Sequence, residues 1–301
     1  MFPIVTVPGD AADLVEQLGT KPKFWYEDNN VNYLFKEARP NTGEDWAEKV
    51  ASELFALMGI PHVKYDLAIW KNTKGVICPS FVPPRCRLVH GNELLAKVVL
   101  GYPATKLYGV KQYTLRRVLG LMGLRIFRLP FGWETLPVRT AIEVFVGYLM
   151  MDAWIANQDR HHENWGFVVR LESETIHLAP SYDHASSLGC HENDENRLQR
   201  LTTHDMRLSM DYYVNKAISA FFESTSSERP LLTIEAFIDA GKLYPEAADA
   251  WLSRLEQVSP SDTRSILEQI PVDRISSVGV DFAHKVLELN RKRLLTLKGK
   301  L

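Results

Sequence analysis

The stretch Ala156-Asn157-Gln158-Asp159-Arg160-His161-His162-Glu163-Asn164-Trp165-Gly166, with Ser181-Tyr182-Asp183-His184 further on, gathers carboxylates, amides and imidazoles in a short span of chain. Asp159 and Asn164 stand five residues apart, enough for a loop to turn and present both to one reacting group from different sides. Phe167 to Leu171 and Thr175 to Leu178 read as short strands around the polar turn Glu172-Ser173-Glu174. If that hairpin turns at Ser173, Asn164 faces Tyr182 and Glu163 faces Asp183, with directly opposed Cβ atoms roughly 4.5–5.5 Å apart. Oxygen-bearing side chains then meet at one end of a ribbon. Mg²⁺ is usually held by one or two such groups plus substrate phosphates, and Asn164 with Asp183 would supply that pair.

The same Asp-x-x-x-x-Asn spacing serves phosphoryl transfer in protein kinases. There the Asp accepts the substrate hydroxyl proton, the Asn holds a metal, and a second Asp after a hairpin bridges metal to phosphates. Such chemistry also needs a strand lysine for the phosphates and a helical acid to hold it. Lys36 closes the apolar strand Tyr33-Leu34-Phe35, and Glu48 lies on the next helix. The segment Gly19-Thr20-Lys21-Pro22-Lys23 stands where a phosphate-covering loop would sit, although it is neither Gly-x-Gly-x-x-Gly nor a Walker A loop.

The elements that must position these residues can be read in outline. Residues 23 to 36 form two strands around Glu27-Asp28-Asn29-Asn30, a polar cluster suited to a hairpin. A helix follows, opened by a weak Thr42/Asp45 capping box, carrying Trp46, Val50, Leu54 and Leu57 at helical spacing, and broken at Pro61. Tyr65 to Trp70 and Val76 to Val82 read as strands. Pro83-Pro84 sets a boundary between residues 1–82, a small strand-rich lobe, and residues 83–301, a mostly helical one. Ala141 to Ile155 is apolar almost all round and reads as a buried central helix. Tyr212 to Phe222, Ala248 to Leu255 and Phe282 to Leu297 read as amphipathic scaffold.

Asn157-x-Asp159-Arg160-His161-x-x-Asn164, followed by Ala179-Pro180-x-Tyr182-Asp183, closely resembles the HipA-like serine/threonine kinases, and Gly19-to-Lys23 resembles that family's Gly-x-x-Pro-Lys loop. The chain looks most like the compact members, similar to HipT toxins and CtkA-type kinases. The resemblance implies an α+β, two-lobed protein-kinase-like fold and an ATP- and Mg²⁺-dependent Ser/Thr kinase that also phosphorylates itself. Carried over, Asp159 is the catalytic base with His161 orienting its loop, and Asn164 and Asp183 are the Mg²⁺ ligands. Lys36, Gly19, Thr20, Lys21, Lys23 and Glu48 serve the ATP phosphates, and Phe81 lies near the adenine hinge. The Ser-rich autophosphorylation loop of some relatives is absent, and Thr20 is the hydroxyl in its place. The implied partners are a protein substrate with a Ser/Thr acceptor and an antitoxin or regulatory protein.

Bulk properties narrow the alternatives. The chain has 301 residues, 46% of them apolar, and a formal net charge of −2, so nothing global argues for binding nucleic acid. Cys78, Cys86 and Cys190 are odd in number and lack a Cys-x-x-Cys pair, which fits a reducing compartment. MFPIVTVPGD has no basic region ahead of its apolar residues, and the longest apolar run, Val144 to Met151, is far shorter than a membrane span. A cytoplasmic protein is expected, or an effector secreted without such a signal. Residues 94 to 142 carry eight Lys or Arg and one acid, Glu134. This basic segment is a solvated surface, or else serves a phosphoinositide headgroup in a lipid kinase of the same fold. Two further readings are a nucleotide-binding toxin or regulator held inactive by a partner, and a metallohydrolase built on His161, His162, His177, His184 and His191. Without a His-Glu-x-x-His pattern, the histidines argue weakly for zinc.

Overall fold

The computed structural model describes residues 1–11, 22–133 and 137–301, and the backbone of Leu14–Val15. In chain order the first elements are β1 (Ile4–Thr6), β2 (Leu14–Val15), β3 (Lys23–Asp28), β4 (Val31–Glu37), α1 (Glu44–Met58), β5 (Asp66–Trp70) and β6 (Thr73–Pro79). Their strands form one sheet in the order β1-β5-β6-β4-β3-β2. Asn29 and Asn30, at φ 49° and 60°, make the two-residue left-handed turn that a tight hairpin requires between β3 and β4. Strand alternation then sorts β4. Phe35 joins Phe24, Tyr26 and Ile77 on one face, while Leu34 packs against the larger core on the face that α1 covers. Lys36 falls on the Leu34 side, so its ammonium points towards α1. Gly75, across from this point, lies so close to the Lys36 carbonyl that a Cβ there would collide with it.

Helix α1 starts differently from the capping-box expectation. Its N-cap is Gly43, over which the Trp46 indole lies where a Cβ would be, and the Thr42 hydroxyl donates to Arg39 O instead (2.8 Å). Of the four apolar positions, Leu57 is exposed, and Trp46, Val50 and Leu54 are buried. The helix ends before Pro61, because Gly59 at φ 62° lets the Ile60 amide reach Phe55 O (3.0 Å).

The remainder comprises β7 (Cys86–His90), α2 (Gly91–Val98), α3 (Leu115–Met122), β8 (Phe127–Arg128), α4 (Ala141–Ile155), β9 (Gly166–Arg170) and β10 (Thr175–Leu178). It continues with α5 (Asp194–Thr202), α6 (Met210–Val214), α7 (Thr233–Leu243), α8 (Pro245–Gln257), α9 (Pro260–Glu268) and α10 (Ser277–Leu295). It therefore includes a second sheet, β7-β9-β10-β8, in which β7 and β8 flank the expected β9–β10 hairpin.

The β9–β10 register differs by one residue from a turn centred on Ser173. Thr175 pairs with Arg170, and four residues, Leu171–Glu174, make the turn, with Glu174 left-handed at φ 52°. A slip of one changes every partner. Glu163 accordingly meets Tyr182, whose hydroxyl donates to Glu163 O (2.8 Å), and not Asp183. Asn164 and Asp183 lie beyond the paired strands. Of the amphipathic segment Tyr212 to Phe222, only the first residues are helical, at the end of α6. Past α6 its backbone is taken by other segments, with Phe222 N–H donating to Tyr113 O (3.0 Å) and Ser219 N–H to Leu231 O (2.8 Å).

Helix α4 is buried nearly throughout and packs against α3, α7, α8 and α10. Its start is a capping box, with Glu143 N–H donating to Thr140 Oγ1 (3.4 Å) and Thr140 N–H to Glu143 Oε2 (2.9 Å). Its end throws out the loop 156–165. Asp152, in the last turn, accepts from Arg160 Nε (2.8 Å), Arg160 Nη2 (2.7 Å) and Asn157 Nδ2 (2.8 Å), and Arg160 Nη1 donates to Asn164 O (2.9 Å). One buried ion pair thus ties both ends of the loop to the most deeply packed helix. Removing one member strands the other charge, so Asp152→Ala should lower unfolding free energy by about 3–5 kcal/mol, read from urea denaturation followed by circular dichroism.

Candidate active site

A cavity of about 370 Å³ opens between the first sheet and the loop 156–165. Lys23, Lys36 and Arg39 line it on the sheet side, and Asp159, Glu163 and Asp183 on the opposite side. Trp25, Leu34, Phe81, Leu88 and Tyr182 give it an apolar end, where Phe81 and Tyr182 stack with ring centroids 5.5 Å apart. The cavity is therefore cationic on one wall, anionic on the other and flat-sided at one end.

Its central contact is ionic. Lys36 Nζ lies 2.6 Å from Asp183 Oδ1 and 3.3 Å from Glu48 Oε2. Burial alone would drive Lys36 towards the neutral amine, but the Asp183 and Glu48 carboxylates outweigh it and hold the ammonium charged, above the usual lysine range. Burial would likewise protonate Glu48, and Lys36 with the hydrogen-bonded His184 carries it below the usual carboxylate range instead. Glu48 is further fixed by the His184 amide, which donates to its Oε1 (2.7 Å). Ser181 Oγ and His184 Nε2 are 2.8 Å apart, completing a buried support behind the pair. Cys78 also lines the cavity. Burial pushes its thiol up to about 12, so it contributes bulk and not a thiolate.

Asp183 adopts the left-handed conformation, φ 60°, which costs a non-glycine residue of order 1–2 kcal/mol and which Asp and Asn tolerate best. Its side chain is 33% exposed towards the cavity while one oxygen engages Lys36. Asn164 donates from Nδ2 to Asp159 O (2.6 Å), which leaves its amide oxygen for the cavity. The donors therefore fit a hard divalent cation. They are an amide oxygen and a carboxylate, beside a cluster in which Glu48 and Asp183 outnumber the single charge of Lys36. Among the described residues no group of three or more His, Cys, Asp and Glu is placed to hold a metal ion. The Asn164–Asp183 pair is of another kind, one that phosphate oxygens would complete.

Asp159 projects from the turn after Asn157, whose Oδ1 accepts from the Asp159 amide (3.3 Å). His161 accepts at Nδ1 from the Glu163 amide (3.1 Å), so its proton sits on Nε2, 3.8 Å from Asp159 Oδ1. Phe81 and Lys23 lie in the wall of the same cavity, and Gly19, Thr20 and Lys21 are outside the described residues.

Three participants have no local sequence signal. Tyr108 donates to Asp159 Oδ1 (2.9 Å). His90 Nδ1 sits 2.8 Å from Glu163 O and 3.0 Å from Tyr182 Oη, and Asn92 Nδ2 donates to Glu163 Oε1 (3.1 Å). Each reaches the loop from more than fifty residues away, which spacing alone cannot reveal.

No family model matches the chain, and no curated protein sequence does. Among solved structures it is similar to the Helicobacter pylori proinflammatory kinase CtkA, with a TM-score of 0.71, 20% identity, and 98% of this chain and 99% of that one covered. It is also similar to HipA of Shewanella oneidensis MR-1, solved as a toxin–antitoxin complex with HipB and operator DNA, with a TM-score of 0.58, 13% identity, and 95% and 67% coverage. The kinase-like α+β architecture that the sequence motifs resemble is the architecture of this chain. No helix among the described residues is long and apolar enough to cross a membrane.

Four histidines near this site, His62, His90, His162 and His184, are pushed below their ordinary range chiefly by burial, His162 to about 4. The unfolded chain takes up protons near 6.5 that the folded chain refuses, so stability is full above 6.5 and falls as pH drops towards 4. Urea midpoints measured across that window should decline, and His162→Gln should reduce the slope by up to about one proton's worth.

Proposed function

We propose that the chain is an ATP- and Mg²⁺-dependent kinase that transfers a γ-phosphoryl group to a Ser or Thr hydroxyl of a protein. The observation that carries this reading is the buried Lys36–Glu48–Asp183 cluster facing Asp159 and Asn164 across one cavity. The likeness in fold to CtkA, a kinase, adds support.

In this reading Lys36 neutralises phosphate oxygens, and Glu48 keeps its ammonium aimed into the cavity. The apolar end, with Phe81 on Tyr182, takes the flat base of the nucleotide. Asn164 and Asp183 would hold Mg²⁺, which when bound neutralises charge on the phosphates. Asp159 accepts the proton of the acceptor hydroxyl as its oxygen attacks phosphorus and the bond to the β-phosphate breaks, releasing ADP. Catalysis is then positioning and charge neutralisation. A lipid acceptor would ask the basic segment for cations at the cleft, and that segment contributes Leu107 and Tyr108 to the cavity wall instead. HipA's crystallisation with HipB makes an antitoxin-type regulatory partner a natural companion to this reading.

The test is transfer of γ-phosphate label from ATP to a general protein acceptor such as myelin basic protein, with Mg²⁺. Wild-type protein should label it. Lys36→Met should lose roughly 10²–10³-fold, and Asp159→Asn roughly 10²–10⁴-fold. Asp183→Asn tolerates the same backbone conformation, so its loss reports the missing charge. Folded wild-type protein that transfers no label to any hydroxyl contradicts the proposal.

A further inference from the structure

The connection between α2 and α3 is fastened to the loop that carries Asp159 at three places, each by a tyrosine. Tyr102 Oη lies 2.6 Å from His162 Nδ1, and Tyr113 donates to Arg160 O (3.0 Å). Between these anchors Tyr108 donates to Asp159 Oδ1 (2.9 Å). Tyr102 and Tyr113 are buried, as structural tyrosines are, whereas Tyr108 is 59% exposed and only its hydroxyl is drawn in. Its ring stands edge-on to His161, at 87° and 5.7 Å between centroids, which sets the direction of the hydroxyl. Next to it Gly109, at φ 65°, turns the chain away.

An acceptor hydroxyl in phosphoryl transfer must donate to the catalytic carboxylate from within the cavity that holds the phosphates. Tyr108 meets both conditions, since it shares the cavity with Lys36, Asn164 and Asp183. We propose that Tyr108 is a phosphoacceptor in cis, modified by the chain's own active site, an inference that rests on the kinase reading above. In the step, Tyr108 Oη forms a bond to the γ-phosphorus of ATP and the bond from that phosphorus to the β-phosphate oxygen breaks. The electron pair leaves with ADP, and the phenolic proton passes to Asp159 and then to solvent. Burial and the Asp159 charge keep the phenol protonated until then. Tethering at two anchors gives the tyrosine an effective concentration that a free substrate lacks, so a site built for aliphatic hydroxyls can still use it. The product dianion would repel Asp159, and Arg39, in the wall of the same cavity and within electrostatic reach of the Tyr108 hydroxyl, is the cation to receive it.

Full-length protein is incubated with ATP and Mg²⁺ at widely different protein concentrations, with and without myelin basic protein, and phosphosites are mapped by tandem mass spectrometry. The expected result is phosphate on Tyr108 that accrues at a rate per molecule independent of protein concentration. Asp159→Asn should slow it roughly 10²–10⁴-fold. Label on the added acceptor with Tyr108 unmodified overturns this inference and leaves the kinase reading standing. Modification of Tyr108 at a rate that rises with protein concentration overturns the cis assignment. Label on no hydroxyl at all removes the kinase reading and this inference with it.

Discussion

Everything at the cleft depends on one buried cation shared by two carboxylates. Lys36 comes from the first sheet, Glu48 from the helix that covers it, and Asp183 from the segment beyond the second sheet, so three separate parts of the chain meet at a single ammonium. A lysine in that position is tolerable only because its charge is matched. Take away either carboxylate and one less charge opposes the burial that disfavours the ammonium. The same balance makes the site responsive. The cluster holds one more negative charge than positive, and Asp183 is the partly exposed member. A divalent cation and a polyphosphate could re-partition these contacts without altering the frame.

The frame itself comes from α4. A helix apolar on all sides has a single stable place, the middle of the core, and its C-terminus is therefore a fixed point. The loop that bears Asp159 and Asn164 is hung from that point by Asp152 and Arg160, and held from outside by His90, Asn92, Tyr102 and Tyr113. Such double support gives a loop the rigidity that precise chemistry needs.

Much of this was legible in sequence because local physics suffices for it. The span of α4, Ala141 to Ile155, follows from a segment apolar almost all round but for Glu143 and Asp152, and the β3–β4 hairpin from the polar cluster Glu27-Asp28-Asn29-Asn30 between aromatic strands. Pairing Lys36 with Glu48 needed only a kinase template. The β9–β10 register escaped because a turn centred on Ser173 and a four-residue turn leave the same composition, and Glu174 had to enter a left-handed conformation that its residue type does not advertise. β7 and β8 escaped because one breaks its apolar residues with Arg87 and ends on His90, and the other is two residues long. Gly43 displaced Thr42 as the N-cap because the Trp46 ring needed the space, a tertiary demand. Tyr108, His90 and Asn92 act on the loop from distant chain positions, and periodicity carries no information about them.

The most direct measurement of the central claim is calorimetric titration of the full chain with a non-hydrolysable ATP analogue, with and without Mg²⁺. The account predicts saturable binding that tightens when Mg²⁺ is present, and loss of that tightening in Asp183→Asn. No binding by the folded wild-type chain, or binding indifferent to Mg²⁺, would contradict it.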